Sequence, residues 1–145
     1  MKKPTVIVIG NGMVGHKFIE NLTAQPEQPY EIVTFSEEPK LAYDRVKLSS
    51  YFEGNSADDL ALTTLERYQE LGVKCHLGDK VVNIDRTKQI VTTEKGVELA
   101  YDKLVLATGS TPFVPPVEGN QGEHIHVYRT LQDLDDIKAS AQGVK

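Results

Sequence analysis

The stretch Thr5–Gly15, TVIVIGNGMVG, limits the folds open to this chain more than any other. Val6 to Ile9 are β-branched and apolar at every position, as a parallel strand covered on both faces requires. They run into Gly10-Asn11-Gly12-Met13-Val14-Gly15, a G-x-G-x-x-G run, and an amphipathic segment from His16 to Leu22 follows. Three glycines near a strand end arise often by chance. The strand before, the helix after and an acidic residue beyond make this run informative. Gly10 suits a tight turn, Gly12 lets backbone approach a pyrophosphate, and Gly15 lets helix and strand pack closely. The free N–H groups and positive dipole end of the helix then face the phosphates. The stretch reads as a dinucleotide site, with Asn11, Met13 and Val14 as the loop residues between the glycines.

Tyr30 to Phe35 reads as a second parallel strand, closing a βαβ unit with a right-handed crossover. It ends at Glu37-Glu38, about 20 residues past the last glycine, where the acid that accepts from a ribose is expected. Either carboxylate can take that role. Arg45 and Lys47 follow as candidate phosphate or adenine neighbours, although any one of these charges alone reads as a solvated loop residue. Two adjacent carboxylates repel a 2′-phosphate, so the ligand should lack one. In the first helix Val14, Phe18, Ile19 and Leu22 keep the 3.6-residue period and are expected against the sheet. Pro26 and Pro29 close that helix.

Leu48 to Phe52 suits a short helix with Tyr51 and Phe52 turned inward. Ser56, with Asp58 and Asp59 behind it, looks like a helix cap. Thr64 to Leu71 is helical, Gly72 stops it, and Val73 to His76 supplies a third strand. Three short alternating runs, Lys80 to Asp85, Gln89 to Thr93 and Val97 to Tyr101, form a β-meander. Lys103 to Ala107 reads as a buried strand running into Thr108-Gly109. A glycine at that carboxyl end lets a ligand approach the backbone, and such ends are where open α/β sheets bind ligands. An ordinary turn is the plainer alternative. His126 to Tyr128 suits a short strand, and Thr130 caps a last helix from Leu131 to about Ala141. The class is α/β: a Rossmann-like parallel sheet with helices and a β-meander, in three layers.

At 145 residues the chain is sized for one domain with a real core. Its net charge of −5, with no Lys/Arg cluster, argues against nucleic acid as a partner. No apolar run nears the roughly 20 residues that span a bilayer, so no membrane role is expected. Met1-Lys2-Lys3 starts like a secretion signal, but Pro4 and the glycine run stand where an apolar segment should be. A cytoplasmic location is the default. Cys75 is the only cysteine, which leaves no internal disulfide, redox pair or iron–sulfur ligand set; a buried structural thiol fits it best. His124 and His126 share a face of an extended run, a weak zinc hint, yet none of the four histidines keeps metal-ligand spacing.

Taken together, GNGMVG, SEEP followed by YDR, YDKLVLATGS and VYRTLQDL resemble the flavoprotein reductases with two dinucleotide domains. IGNGMVGHKFIE and LAYDRVKLSSYF are similar, more specifically, to the start of the large subunits of NAD(P)H nitrite reductases. The resemblance covers nearly the whole chain. It implies that residues 1–145 are the amino-terminal segment of a discontinuous FAD-binding domain, a fragment of a larger enzyme. It implies that Gly10, Gly12 and Gly15 cradle the FAD pyrophosphate, Glu37 takes the adenosine ribose and Val81 meets the adenine end. Arg45 would lie along the cofactor, Ala107-Thr108-Gly109 would form the flavin-side A-T-G signature, and Arg129 would stand close to the flavin. NAD(P)H, an iron–sulfur cluster and sirohaem are implied only for the full-length enzyme. Its further partners would be the rest of its own polypeptide and a small subunit, and the fragment alone should be inactive and prone to self-association.

Two departures bear on this. Ferredoxin and rubredoxin reductases usually read PPLSK where this chain has VKLSS, so Ser50 replaces their flavin-side Lys. Disulfide reductases carry a Cys pair that is missing here. Together they favour the nitrite reductases over those two alternatives. An NAD-dependent dehydrogenase domain shares the glycine run and Glu37, but the LVLATG strand end and the meander favour FAD. A non-catalytic nucleotide-binding module is the third alternative, since the chain offers no catalytic acid, base or thiol.

Overall fold

Val6 to Ile9 cannot leave either strand face in water without exposing apolar surface, and the fold covers both. In the computed structural model, which describes residues 2–144, Thr5–Ile9 (β1) is buried at every position. Met1 and Lys145, the ends of the expected 1–145 segment, lie outside the described residues. β1 pairs in parallel with Glu31–Ser36 (β2), which pairs in parallel with Val73–Leu77 (β3). On its other side β1 pairs in parallel with a strand from far along the chain, Lys103–Leu106, named β7 below. The sheet order is therefore β3-β2-β1-β7. Successive strands step one way from β1 and the late strand lies on the other side, so the order reverses at β1, as in doubly wound folds.

Alternation sends Val6 and Val8 to one face with Ile32 and Val73, and Ile7 and Ile9 to the other with Val33 and Phe35. The first face is covered by the helices Met13–Thr23 (α1) and Leu65–Glu70 (α3), through the fully buried Ile19 and Tyr68. The second is covered by an antiparallel meander of Val81–Asp85 (β4), Ile90–Thr93 (β5) and Glu98–Ala100 (β6), with Val91 at its centre. Meander, parallel sheet and helices are the three expected layers. They form one compact unit, made of the residues up to Tyr43 together with Ala61–Gly109.

A second compact unit comprises Asp44–Leu60 and the residues from Ser110 onward. It holds a 3-10 helix, Leu48–Glu53, a short helix Ala57–Leu60 (α2) and a terminal helix Leu131–Ser140 (α4). Thr130 and Asp133 close a full capping box on α4, and Ser56 Oγ accepts from the Asp59 N–H at the start of α2. The Tyr51 hydroxyl donates to Asp135 at 2.6 Å, and Lys138 caps both the Tyr51 carbonyl (2.8 Å) and its ring (3.6 Å).

Several sequence expectations need correction. Val14 and Phe18 do not pack on the sheet; they are 74% and 38% exposed. The buried stripe of α1 is Gly15, Ile19 and Leu22, one position round the helix, because Gly15 rather than a large side chain takes the close-contact seat. β7 is an edge strand rather than a buried one, and Leu106 is 63% exposed. Leu48, not Phe52, is the inward residue of the 3-10 helix; Phe52 is exposed and stacks on Tyr128, while Tyr51 is half-buried. His126–Tyr128 forms no strand, since it has no neighbour to complete a ladder.

Candidate functional site

The strand-to-helix turn is built from backbone. Gly10 leaves β1 at a φ of +104°, in the left-handed region that favours glycine, and its N–H donates to the Phe35 carbonyl at 2.8 Å. A Cβ on Gly10 would stand 2.1 Å from the Ala107 carbonyl oxygen, and one on Gly15 would stand 2.0 Å from the Gly10 carbonyl oxygen. Helix, turn and the end of β7 are thus interlocked through bare backbone. Gly12 differs. Its φ of −94° suits any residue, and a Cβ there would meet nothing within 4 Å. That face is therefore open to a group approaching from outside.

Gly12 is also the N-cap of α1, with no side-chain cap and no acidic residue in the first turn. The N–H groups of Met13, Val14 and Gly15 therefore lack intrahelical partners, and the positive dipole end has no carboxylate of its own to neutralise it. Met13 and Val14 carry exposed side chains, so their contribution to such a site is their backbone. Asn11 is turned the other way. It is 5% exposed, its Oδ1 accepts from the Ala42 N–H at 2.9 Å, and its Nδ2 donates to the Tyr68 hydroxyl at 3.0 Å.

The carboxylates after β2 separate into two roles. Glu38 accepts from the Tyr43 hydroxyl at 2.7 Å, while Glu37 is exposed and meets Lys80 at 3.2 Å. The backbone around them is pinned, because Gly78 N–H donates to the Glu38 carbonyl and Asp79 N–H to that of Ser36. Val81, first residue of β4, is half-buried and packs on the cluster shared by the parallel sheet and the meander. Ala107 N–H donates to the Ile9 carbonyl at 2.8 Å, which places Ala107, Thr108 and Gly109 beside the glycine turn. Thr108 and Gly109 are exposed, and Gly109 has a φ of +71°. The structure thus gathers residues 10–15 and 107–109 at the point where strand order reverses, the usual ligand position of an open α/β sheet. Arg45 and Arg129 belong to the second unit, where the Arg45 guanidinium donates to the Arg129 carbonyl at 3.1 Å and Arg129 N–H donates to Asp133.

Sequence reasoning missed Tyr68. Its hydroxyl lies 2.8 Å from His16 Nδ1 as well as bonding Asn11, and burial pushes its pKa up to about 12. Burial also pulls His16 below its ordinary value and raises the Cys75 thiol to about 11, so Cys75 is no thiolate near neutrality. A cavity of about 470 Å³ between α1 and α3 is lined by His16, Leu62, Arg67, Tyr68 and Leu71 among others, and by no residue of the glycine turn. Among the described residues no group of three His, Cys, Asp or Glu could hold a metal, and His124 and His126 are exposed. No helix among them is long and apolar enough to cross a membrane.

Residues 4–144 match the family described as pyridine nucleotide-disulphide oxidoreductase. The chain is 41% identical to the nitrite reductase (NADH) large subunit of Escherichia coli, over all of this chain and 17% of that protein. It is 48% identical to the nitrite reductase [NAD(P)H] large subunit of Klebsiella oxytoca, over 97% of this chain and 15% of that one. The chain therefore spans less than a fifth of the length of these curated relatives. Its fold is similar to that in the crystal structure of the covalent putidaredoxin reductase–putidaredoxin complex. That likeness has a TM-score of 0.86 at 28% identity and covers 96% of this chain and 34% of the other.

Proposed function

This chain belongs to the pyridine nucleotide-disulphide oxidoreductase family, and from that premise we propose that it is the amino-terminal FAD-binding segment of an NAD(P)H-dependent nitrite reductase large subunit. The observation that carries the cofactor reading is Gly12. Its open Cβ face sits on an uncapped helix start at the strand-order reversal, and a pyrophosphate is the group such a cradle fits. The identities of 41% and 48% to nitrite reductase large subunits support the enzyme.

In this reading the backbone from Gly10 to Gly15 holds the pyrophosphate. Glu37 accepts from the adenosine ribose, with Lys80 steering its carboxylate, and Val81 backs the adenine. Ala107, Thr108 and Gly109 border the flavin side. Bound FAD would supply the hydride-accepting and electron-passing chemistry, and these residues would hold and orient it. Iron–sulfur and sirohaem centres, a small-subunit partner and a cytoplasmic setting belong to the remainder of this proposal. No described group stands out as a general acid, base or nucleophile, which suits a cofactor-holding segment. Ser50 donates to the Lys47 carbonyl at 2.7 Å and offers no cation, against a ferredoxin- or rubredoxin-reductase role.

The test is purification of the native polypeptide, heat release of its cofactor, and assay of NAD(P)H-dependent reduction of nitrite. FAD in the supernatant and ammonia as product are expected. A colourless protein would overturn the cofactor reading. FAD with reduction of rubredoxin but not of nitrite would transfer the chain to the alternative. The 145-residue segment alone should take up FAD weakly and turn over no NADH, and tight stoichiometric uptake would refute the incomplete-site reading.

A further inference from the structure

The geometry points to Tyr68 as a positioning residue for the pyrophosphate loop, acting through Asn11 without touching the ligand. This rests on the FAD reading above. Asn11 lies between the two glycines whose backbone forms the cradle, and its amide is held at both ends: Oδ1 by Ala42 N–H, Nδ2 by the Tyr68 hydroxyl. Those two bonds fix the amide's orientation, because only the carbonyl end can accept from Ala42. Tyr68 oxygen therefore accepts from Asn11, and with the His16 proton on Nε2 its own proton goes to His16 Nδ1, 2.8 Å away. The chain of bonds then runs one way, from Ala42 through Asn11 and Tyr68 to a neutral imidazole on α1.

Each member belongs to a different element: the segment after β2, the glycine turn, α3 and α1. Tyr68 is fully buried and Asn11 nearly so, and a buried polar chain with every member satisfied fixes one arrangement of its parts. Here the part fixed is the turn between Gly10 and Gly12. The turn also has no side chains of its own to anchor it elsewhere, since Gly10, Gly12 and Gly15 carry none and Met13 and Val14 are exposed. Tyr68→Phe keeps the ring and its packing, but leaves the Asn11 amide with one anchor.

The experiment is a double-mutant cycle on the apoprotein of the native polypeptide, titrated with FAD and, separately, with ADP as a probe of the pyrophosphate half. Tyr68→Phe and Asn11→Ala should each weaken both ligands about three- to tenfold, the worth of one buried hydrogen bond. In the Asn11→Ala background Tyr68→Phe should add nothing, because its route to the loop is gone. Additive losses, or a loss of apoprotein stability with unchanged affinity, would make Tyr68 merely structural and overturn the proposal. Should Tyr68→Phe fail to fold, Asn11→Ala, which removes the route itself, is read alone; unchanged affinity there would overturn it equally. A wild-type protein that takes up neither FAD nor ADP would overturn the parent reading. Wild-type uptake with unaltered variants overturns this one alone.

Discussion

Alanine at Gly12 separates folding from ligand binding more cleanly than any other change to this chain. Gly12 already holds a φ of −94°, and a Cβ would meet nothing within 4 Å. Reduced freedom of the unfolded chain then contributes about 0.4–1 kcal/mol of stabilisation. Against this, alanine is a poorer N-cap than glycine by roughly 0.5–1 kcal/mol. The two nearly cancel, and the melting temperature should move by no more than a few degrees. The ligand fares differently. A methyl group on the cradle displaces the pyrophosphate from one charge-assisted N–H bond, worth about 1.5–3 kcal/mol, so FAD affinity should fall about ten- to hundredfold. Gly15→Ala is the contrast: its Cβ would sit 2.0 Å from the Gly10 carbonyl oxygen, and the helix must shift at a cost of about 1–3 kcal/mol or more. The assay is FAD titration of the apoprotein beside its thermal unfolding. A Gly12→Ala protein that binds FAD like wild type, or one that unfolds like Gly15→Ala, would refute the reasoning.

Other expectations are smaller. Glu37→Gln should weaken FAD and leave stability within about 1 kcal/mol, because its ion pair with Lys80 is exposed on both sides; unchanged affinity would remove Glu37 from the ribose subsite. Burial holds His16 neutral, so its folded pKa lies below the ordinary 6.5, and between those values the unfolded chain binds more protons. Stability should therefore decline as pH drops below about 6.5 and level off beneath the folded value. His16→Gln should flatten that slope in urea denaturation across the series. Thr130→Ala removes one half of the α4 capping box and should cost about 1 kcal/mol. Faster hydrogen exchange limited to the first turn of α4 is the expected sign, and unchanged protection would contradict it.

The glycine turn was legible because its causes are local. A β-branched run, the seat of Gly15 against the Gly10 carbonyl and a helix start all lie within Thr5–Gly15, although the wall against Gly10 itself comes from Ala107, far along the chain. The helix phase was misread because hydrophobicity marks Val14 and Phe18, while the seat against the strand goes to Gly15, whose merit is having no side chain. The choice between Glu37 and Glu38 was open in sequence and is now informed by Tyr43, which bonds Glu38 and leaves Glu37 outward. Tyr68 could not be read at all. Nothing near it in sequence shows that its hydroxyl meets Asn11, 57 residues away, since only tertiary packing brings them together. The short run His126–Tyr128 alternates like a strand, but alternation supplies no neighbour to bond with.

β1 and β2 have a hydrogen-bonded partner on each side, whereas β7 has β1 alone. That asymmetry sets a hierarchy of lifetimes. Central-strand amides should exchange with solvent only when the whole unit opens, but the outer row of β7 has no ladder to break first. Ala107, Thr108 and Gly109 follow an edge strand, while the glycine turn follows a central one. Amides on the two sides of the proposed cradle should therefore exchange at different rates, slower in β1 than along the outer row of β7.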